Sequence, residues 1–166
     1  MAVAGATVAK AAGFGLLGAR LVRLHATPHP QRRATPEALP GSAAGAVRAL
    51  LRLEGLAVLT LALAAYVQFG AGWGWFALLF LLPDLSFAAY LAGPRWGAAA
   101  YNAAHSYVGA LTLLAAGVLA AMPGLLAVGL VWCAHIGFDR ALGYGLKYSS
   151  GFGLTHLGRI GQSDPW

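Results

Sequence analysis

The chain has 166 residues, of which 59% are hydrophobic and only 10% charged, with a formal net charge of +6. A soluble domain carries about 25% charged residues, so this composition excludes an ordinary water-soluble globule. It also excludes a nucleic-acid-binding domain, because the basic residues sit at the ends of apolar runs rather than on one dense polar face.

Residues 1–47 differ from the rest. Lys10, Arg20, Arg23, Arg32 and Arg33 precede the first acid, Glu37, and Pro28, Pro30, Pro36 and Pro40 follow an Ala/Gly-rich start. This stretch reads as a basic, poorly ordered N-terminal extension with a short interfacial helix over 14–24 and a Pro-rich linker. A cleaved secretory signal fits less well, since the run 11–19 is weakly apolar and Arg20 and Arg23 follow it.

Four apolar runs follow, at 49–69, 73–92, 96–121 and 125–142, separated by the turns 70–72, 93–95 and 122–124. Each run is about 20 residues, the length a helix needs to cross roughly 30 Å of hydrocarbon. Between Glu54 and Arg95 the only formal charge is Asp84, and between Arg95 and Asp139 there is none. Backbone groups in lipid must pair internally, which predicts helices, and the short turns make neighbours antiparallel. The fold class is all-α: a transmembrane four-helix bundle with the basic extension in front. The domain itself spans 48–161, and 162–166 is a short C-terminal end. Gly97 and the alanines around it on the third helix would allow close helix contact. Cys133 is the sole cysteine, so it forms no internal disulfide and reads as a small packing residue.

Orientation follows from the basic residues. Arg48, Arg52, Arg95, Arg140, Lys147 and Arg159 all fall at one end of the bundle, whereas the two turns at the other end have no Lys or Arg. The positive-inside rule makes the basic end and both termini cytoplasmic, with the protein a multi-pass one of the cell's inner membrane. Trp73, Trp75 and Trp96 suit interfacial belts.

The intramembrane polar residues meet at one level. Counted from the nearest neutral turn, Glu54 lies 16 residues in, Asp84 12, His105 17, His135 12 and Asp139 16. That places all five about 18 to 26 Å from the neutral end, within a slab roughly 8 Å thick. His135 and Asp139 are i and i+4 and share a face, and Tyr101, Asn102 and His105 form one stripe. Pro83 removes a backbone donor just before Asp84, so a kink there would turn Asp84 and Ser86 into the bundle. Carboxylates and imidazoles at one depth suit a divalent transition metal, zinc, manganese or iron. Asp84, His105, His135 and Asp139 are the candidate ligands. Glu54 and His105 are candidates for ligand or general base.

Beside proton or ion conduction through this slab, two other readings stay open. One is a structural network in which Glu54 pairs with Arg52, Arg95 or Arg140, Asp139 with an arginine or His105, and His135 with a backbone carbonyl. The other is a bis-imidazole haem site on His105 and His135. Converging carboxylate and imidazole atoms would favour metal; arginine–carboxylate pairs would favour the network.

Beyond the fourth run, the stretch 144–159 is too Gly-rich for a helix and too aromatic for a plain disordered end. A compact lid over the basic end fits it, with His156 as a further acid/base and Arg140, Lys147 and Arg159 attracting an anionic substrate. An interfacial anchor on anionic headgroups fits equally well.

The stretches RLEGLAVL at 52–59, LLPDLSFAAYLAGPRWGAAAYNAAHSY at 81–107 and AHIGFDRALGYGLKYSSGFGLTHLGRIG at 134–161 resemble the bacterial domain of unknown function 4260 family. The resemblance implies a small integral membrane domain of four helices and no particular activity. It carries Glu54, Pro83, Asp84, His105, His135, Asp139, Arg140, Tyr144, Lys147, His156 and Arg159, largely the residues selected by depth. The expected function is a membrane-embedded metal site in a hydrolase acting on a lipid-linked or anionic substrate, with Glu54, His105 and His156 as catalytic candidates. The expected partners are the lipid bilayer and that substrate.

Overall fold

The computed structural model describes residues 41–160. The basic extension as far as residue 40, with its expected interfacial helix and linker, lies outside the described residues, as does 161–166.

The described chain forms helix α1 (Gly45–Phe69), helix α2 (Trp73–Phe80), a 3-10 helix (Leu82–Ala92), helices α3 (Pro94–Ala104), α4 (Tyr107–Leu119) and α5 (Pro123–Leu142), and a hairpin of β1 (Leu154–Thr155) and β2 (Gly158–Arg159). Four stretches are long and apolar enough to cross a membrane: Gly45–Phe69, Trp73–Ala92, Pro94–Leu119 and Pro123–Leu142. The expected runs are all present. The first begins at Gly45 rather than Ala49, and the second and third are discontinuous.

Both discontinuities have local causes. In the second span, Pro83 stands at the first turn of the 3-10 helix, where its missing N–H costs nothing. The kink expected there is a change of helix type. In a 3-10 helix residues i and i+3 eclipse one another. Asp84, Phe87 and Tyr90 therefore form one column, and Leu82, Leu85, Ala88 and Leu91 another. The first column faces α3, where the Tyr90 ring fills the space a side chain at position 97 would need. The second faces outward, with Leu85 69% and Leu91 94% exposed.

The third span breaks at His105 (φ −111°, ψ 13°) and Ser106 (φ −94°, ψ 147°). A break at this depth leaves carbonyls of α3 without helical partners, a large cost in hydrocarbon. Two side chains of α5 supply donors. Trp132 Nε1 donates to the Ala104 carbonyl at 2.6 Å, and Arg140 Nη2 donates to the His105 carbonyl at 2.9 Å.

Helix α5 is the centre of the bundle. Of its apolar stretch 56% is buried, against 17%, 0% and 17% for the other three spans in chain order. It packs on α1, α4 and α2. Lipid tails are as apolar as leucine, so close packing rather than hydrophobic burial holds such helices together. Gly55 and Gly137 provide it: a side chain on Gly137 would strike the Gly55 carbonyl and the Leu59 amide, both 2.7 Å from its Cβ. Ala62, Ala110, Cys133, Ala134 and Ile136 form the adjoining core, so Cys133 is the packing residue expected.

The segment after α5 folds. Gly143 takes the left-handed conformation (φ 97°) that ends the helix. The chain then pairs Lys147 with Thr155 and closes the β1–β2 hairpin. Asn102 of α3 clamps both backbone groups of Lys147, accepting from its N–H at 2.7 Å and donating to its carbonyl at 2.9 Å. The Ala43 amide donates to the His156 carbonyl at 2.7 Å, joining the tail to the start of α1.

Candidate metal centre

Four polar side chains from three spans meet beside α5. Asp84 comes from the 3-10 helix, His105 from the break in the third span, and His135 and Asp139 from one face of α5. His105 Nε2 lies 3.1 Å from His135 Nε2, 3.4 Å from Asp84 Oδ1 and 3.5 Å from Asp139 Oδ2. His135 Nε2 lies 3.7 Å from Asp84 Oδ1 and 3.9 Å from Asp139 Oδ2. The ligand atoms of Asp84, His105 and His135 all fall within 4.8 Å of one another. Four donors about 2.0–2.2 Å from a shared tetrahedral ion would stand about 3.3–3.6 Å apart. The five separations that involve an imidazole nitrogen, 3.1–3.9 Å, bracket that value; the mutually close group is Asp84, His105 and His135, with Asp139 set against the two imidazoles.

The surroundings orient His105 and Asp139, whereas His135 Nδ1 is buried with no partner among the described residues, so the backbone-carbonyl bond expected of His135 is not made. His105 Nδ1 lies 2.9 Å from the Tyr101 carbonyl. A carbonyl only accepts, so Nδ1 carries the proton and Nε2 presents its lone pair to the cluster. Tyr101 also donates its hydroxyl to Asp139 Oδ2 at 3.1 Å and stacks its ring on His105. Phe80 meets His135 edge-on. His105 is 0% and His135 2% exposed, whereas the Asp84 side chain is 43% exposed.

The tail covers the centre from the basic end. Lys147, 4% exposed, places Nζ 3.9 Å from the Phe152 ring centre, 4.7 Å from Tyr101 and 5.5 Å from Phe87, and donates to the Phe152 carbonyl at 3.0 Å. Burial holds its ammonium below the usual lysine range, with Asp139 pulling the other way. His156 Nδ1 accepts from the Leu146 amide at 2.7 Å. Burial lowers its affinity for a proton, and the nearby Arg140 charge lowers it further.

The candidate residues therefore separate. Asp84, His105, His135 and Asp139 come together. Glu54 lies exposed on α1, with no hydrogen bond or ion pair among the described residues. His156 is held in the tail hairpin, and Arg159 is exposed on β2. Arg140 is 7% exposed and donates to the Tyr144 and His105 carbonyls. Arg52 donates to the Ala141 carbonyl at 2.9 Å. Among the described residues, the ion-pair partners of Asp84 and Asp139 are the two histidines alone. The direct Nε2–Nε2 contact also leaves no room for a haem iron, whose axial imidazoles sit on opposite faces of the ring.

Tyr101 was visible in sequence only as the residue four before His105, one turn away on the same stripe. Its link to Asp139 spans 38 residues and two helices. Asn102 was visible only as a member of that same polar stripe, with no hint of its partner Lys147 45 residues on, and Trp132 gave no signal, because the carbonyl it serves is freed only where the third span breaks.

No curated protein and no solved structure matches the chain. Residues 48–160 match a family model described as a domain of unknown function (DUF4260), and the chain belongs to that family.

Proposed function

We propose that this is an integral membrane metalloprotein in which Asp84, His105, His135 and Asp139 hold one divalent transition ion, zinc, manganese or iron. The observation that carries the reading is that two imidazole nitrogens lie 3.1 Å apart with an oxygen of each carboxylate 3.4–3.9 Å from both, and no arginine or lysine among the described residues is paired to either acid. Two carboxylates balance a doubly charged ion, and the His105 tautomer is the one a metal requires. With Asp84, His105 and His135 as the ligands and Asp139 beside them, a bound ion would keep an open position and make a nucleophile of water near neutral pH, which fits hydrolysis of a lipid-linked or anionic substrate. The positive-inside pattern supports an inner-membrane location with the basic end and both termini cytoplasmic.

The first test is the metal content of detergent-purified protein beside His135→Ala and Asp139→Asn. Near-stoichiometric transition metal that is lost in both variants supports the centre. Metal-free, folded wild type overturns it.

One observation favours a second reading. The 3.1 Å Nε2–Nε2 separation is also hydrogen-bond length. Without metal, His135 can donate to His105 and the cluster becomes a structural network between α5, α3 and the 3-10 helix. Variants would then lose thermal stability whether or not metal is added.

A further inference from the structure

We infer that the reactant of this centre arrives sideways from the bilayer, through the flank beside Asp84, and is a membrane-dissolved amphiphile with an oxygen-donor headgroup. This rests on the metal-centre reading above and adds the route and the substrate class.

Two observations carry it. The basic end, the aqueous approach, is closed. Against the cluster on this side lie Tyr101 and Arg140, with the Lys147 ammonium over the Tyr101 ring, the three exposed by 2%, 7% and 4%. Phe152 adds a further cover, its ring 5.7 Å from Phe87 and 5.0 Å from Tyr90. The flank is open. Asp84 is the one cluster residue with a substantially exposed side chain, 43% against 13% for Asp139. Its exposed neighbours are Leu81, Leu82 and Leu85, at 63%, 53% and 69%. The span that bears Asp84 has 0% of its apolar stretch buried inside the structure and is long and apolar enough to cross a membrane, so in a bilayer this flank would face hydrocarbon.

A carboxylate half-turned to lipid is costly unless something polar meets it. An ion on its inner side and an amphiphile's oxygen on its outer side would do so. A water-borne anion would instead need the tail to open.

The test uses full-length protein in nanodiscs loaded with Co(II), whose visible d–d bands report the coordination sphere. Palmitoyl hydroxamate is the lipid-phase probe and acetohydroxamate the aqueous one. Leu81→Trp and Leu85→Trp narrow the flank at exposed positions, and Leu91→Trp is a distant control. Co(II) stoichiometry confirms that each variant is folded. The expected result is a spectral change with the long-chain probe, weakened about tenfold in affinity by Leu81→Trp or Leu85→Trp but not by Leu91→Trp. A response to acetohydroxamate with no effect of the flank variants overturns the lateral route and leaves the metal centre standing. Bound Co(II) that answers neither probe in a dimeric protein also overturns it, since a second copy would then cover Asp84. Failure to bind Co(II) overturns the metal reading and this inference with it.

Discussion

The Tyr101 ring lies flat on the His105 imidazole, centroids 3.7 Å apart and planes 13° apart. The same tyrosine supplies the carbonyl that fixes the His105 tautomer and the hydroxyl that holds Asp139. One residue thus orients a nitrogen and an oxygen of the centre. Tyr101→Phe keeps the stacking and removes the hydroxyl. Loss of such an outer partner typically costs about 10–100-fold in metal affinity. Co(II) titration should show that loss with stoichiometry unchanged; equal affinity would show that Asp139 orients itself.

The close approach of α1 and α5 predicts a packing defect that leaves the centre's ligands untouched. Gly137→Ala puts a methyl against the backbone of Gly55 and Leu59, neither of which can rotate away. Overpacking of this kind costs about 1–3 kcal/mol. Reversible unfolding in mixed detergent should register it, while membrane insertion stays normal. A neutral result would mean that the two helices slide apart at little cost.

Asn102 ties the tail to the span beneath it. Asn102→Ala strands the N–H and carbonyl of Lys147, each worth about 1–3 kcal/mol when buried without a partner. The tail should loosen before the helices do. Limited proteolysis near 148–153 should therefore accelerate in the variant, with the helical circular-dichroism signal preserved.

The tail is also pH-sensitive in a definite direction. Burial and Arg140 hold His156 below the ordinary histidine range, so the folded state binds its proton less tightly than the unfolded state does. Its contribution is constant above the unfolded value, about 6.5. Stability falls as pH drops through that value and levels off below the lower folded one. Protonation also removes the acceptor for the Leu146 amide. Proteolytic release of the tail should rise on acidification from pH 7 to pH 5, and His156→Gln should flatten that rise.

The four spans were legible in the sequence because hydrocarbon imposes a length and an apolar composition that no soluble fold needs. The common depth of Asp84, His105, His135 and Asp139 was legible for the same reason, since rise per residue converts position into height. Height says nothing about azimuth, however. Glu54 shares the level but lies exposed on α1, because the neighbouring Gly55 is the residue that meets α5. The break at His105 depends on donors from Trp132 and Arg140, 27 and 35 residues away in the sequence, and no local pattern announces it. The tail hairpin is set by long-range clamps in the same way. Length, apolarity and charge asymmetry were fixed by the chain alone; which polar groups touch was decided by packing around α5, where glycine contacts set the helix rotations.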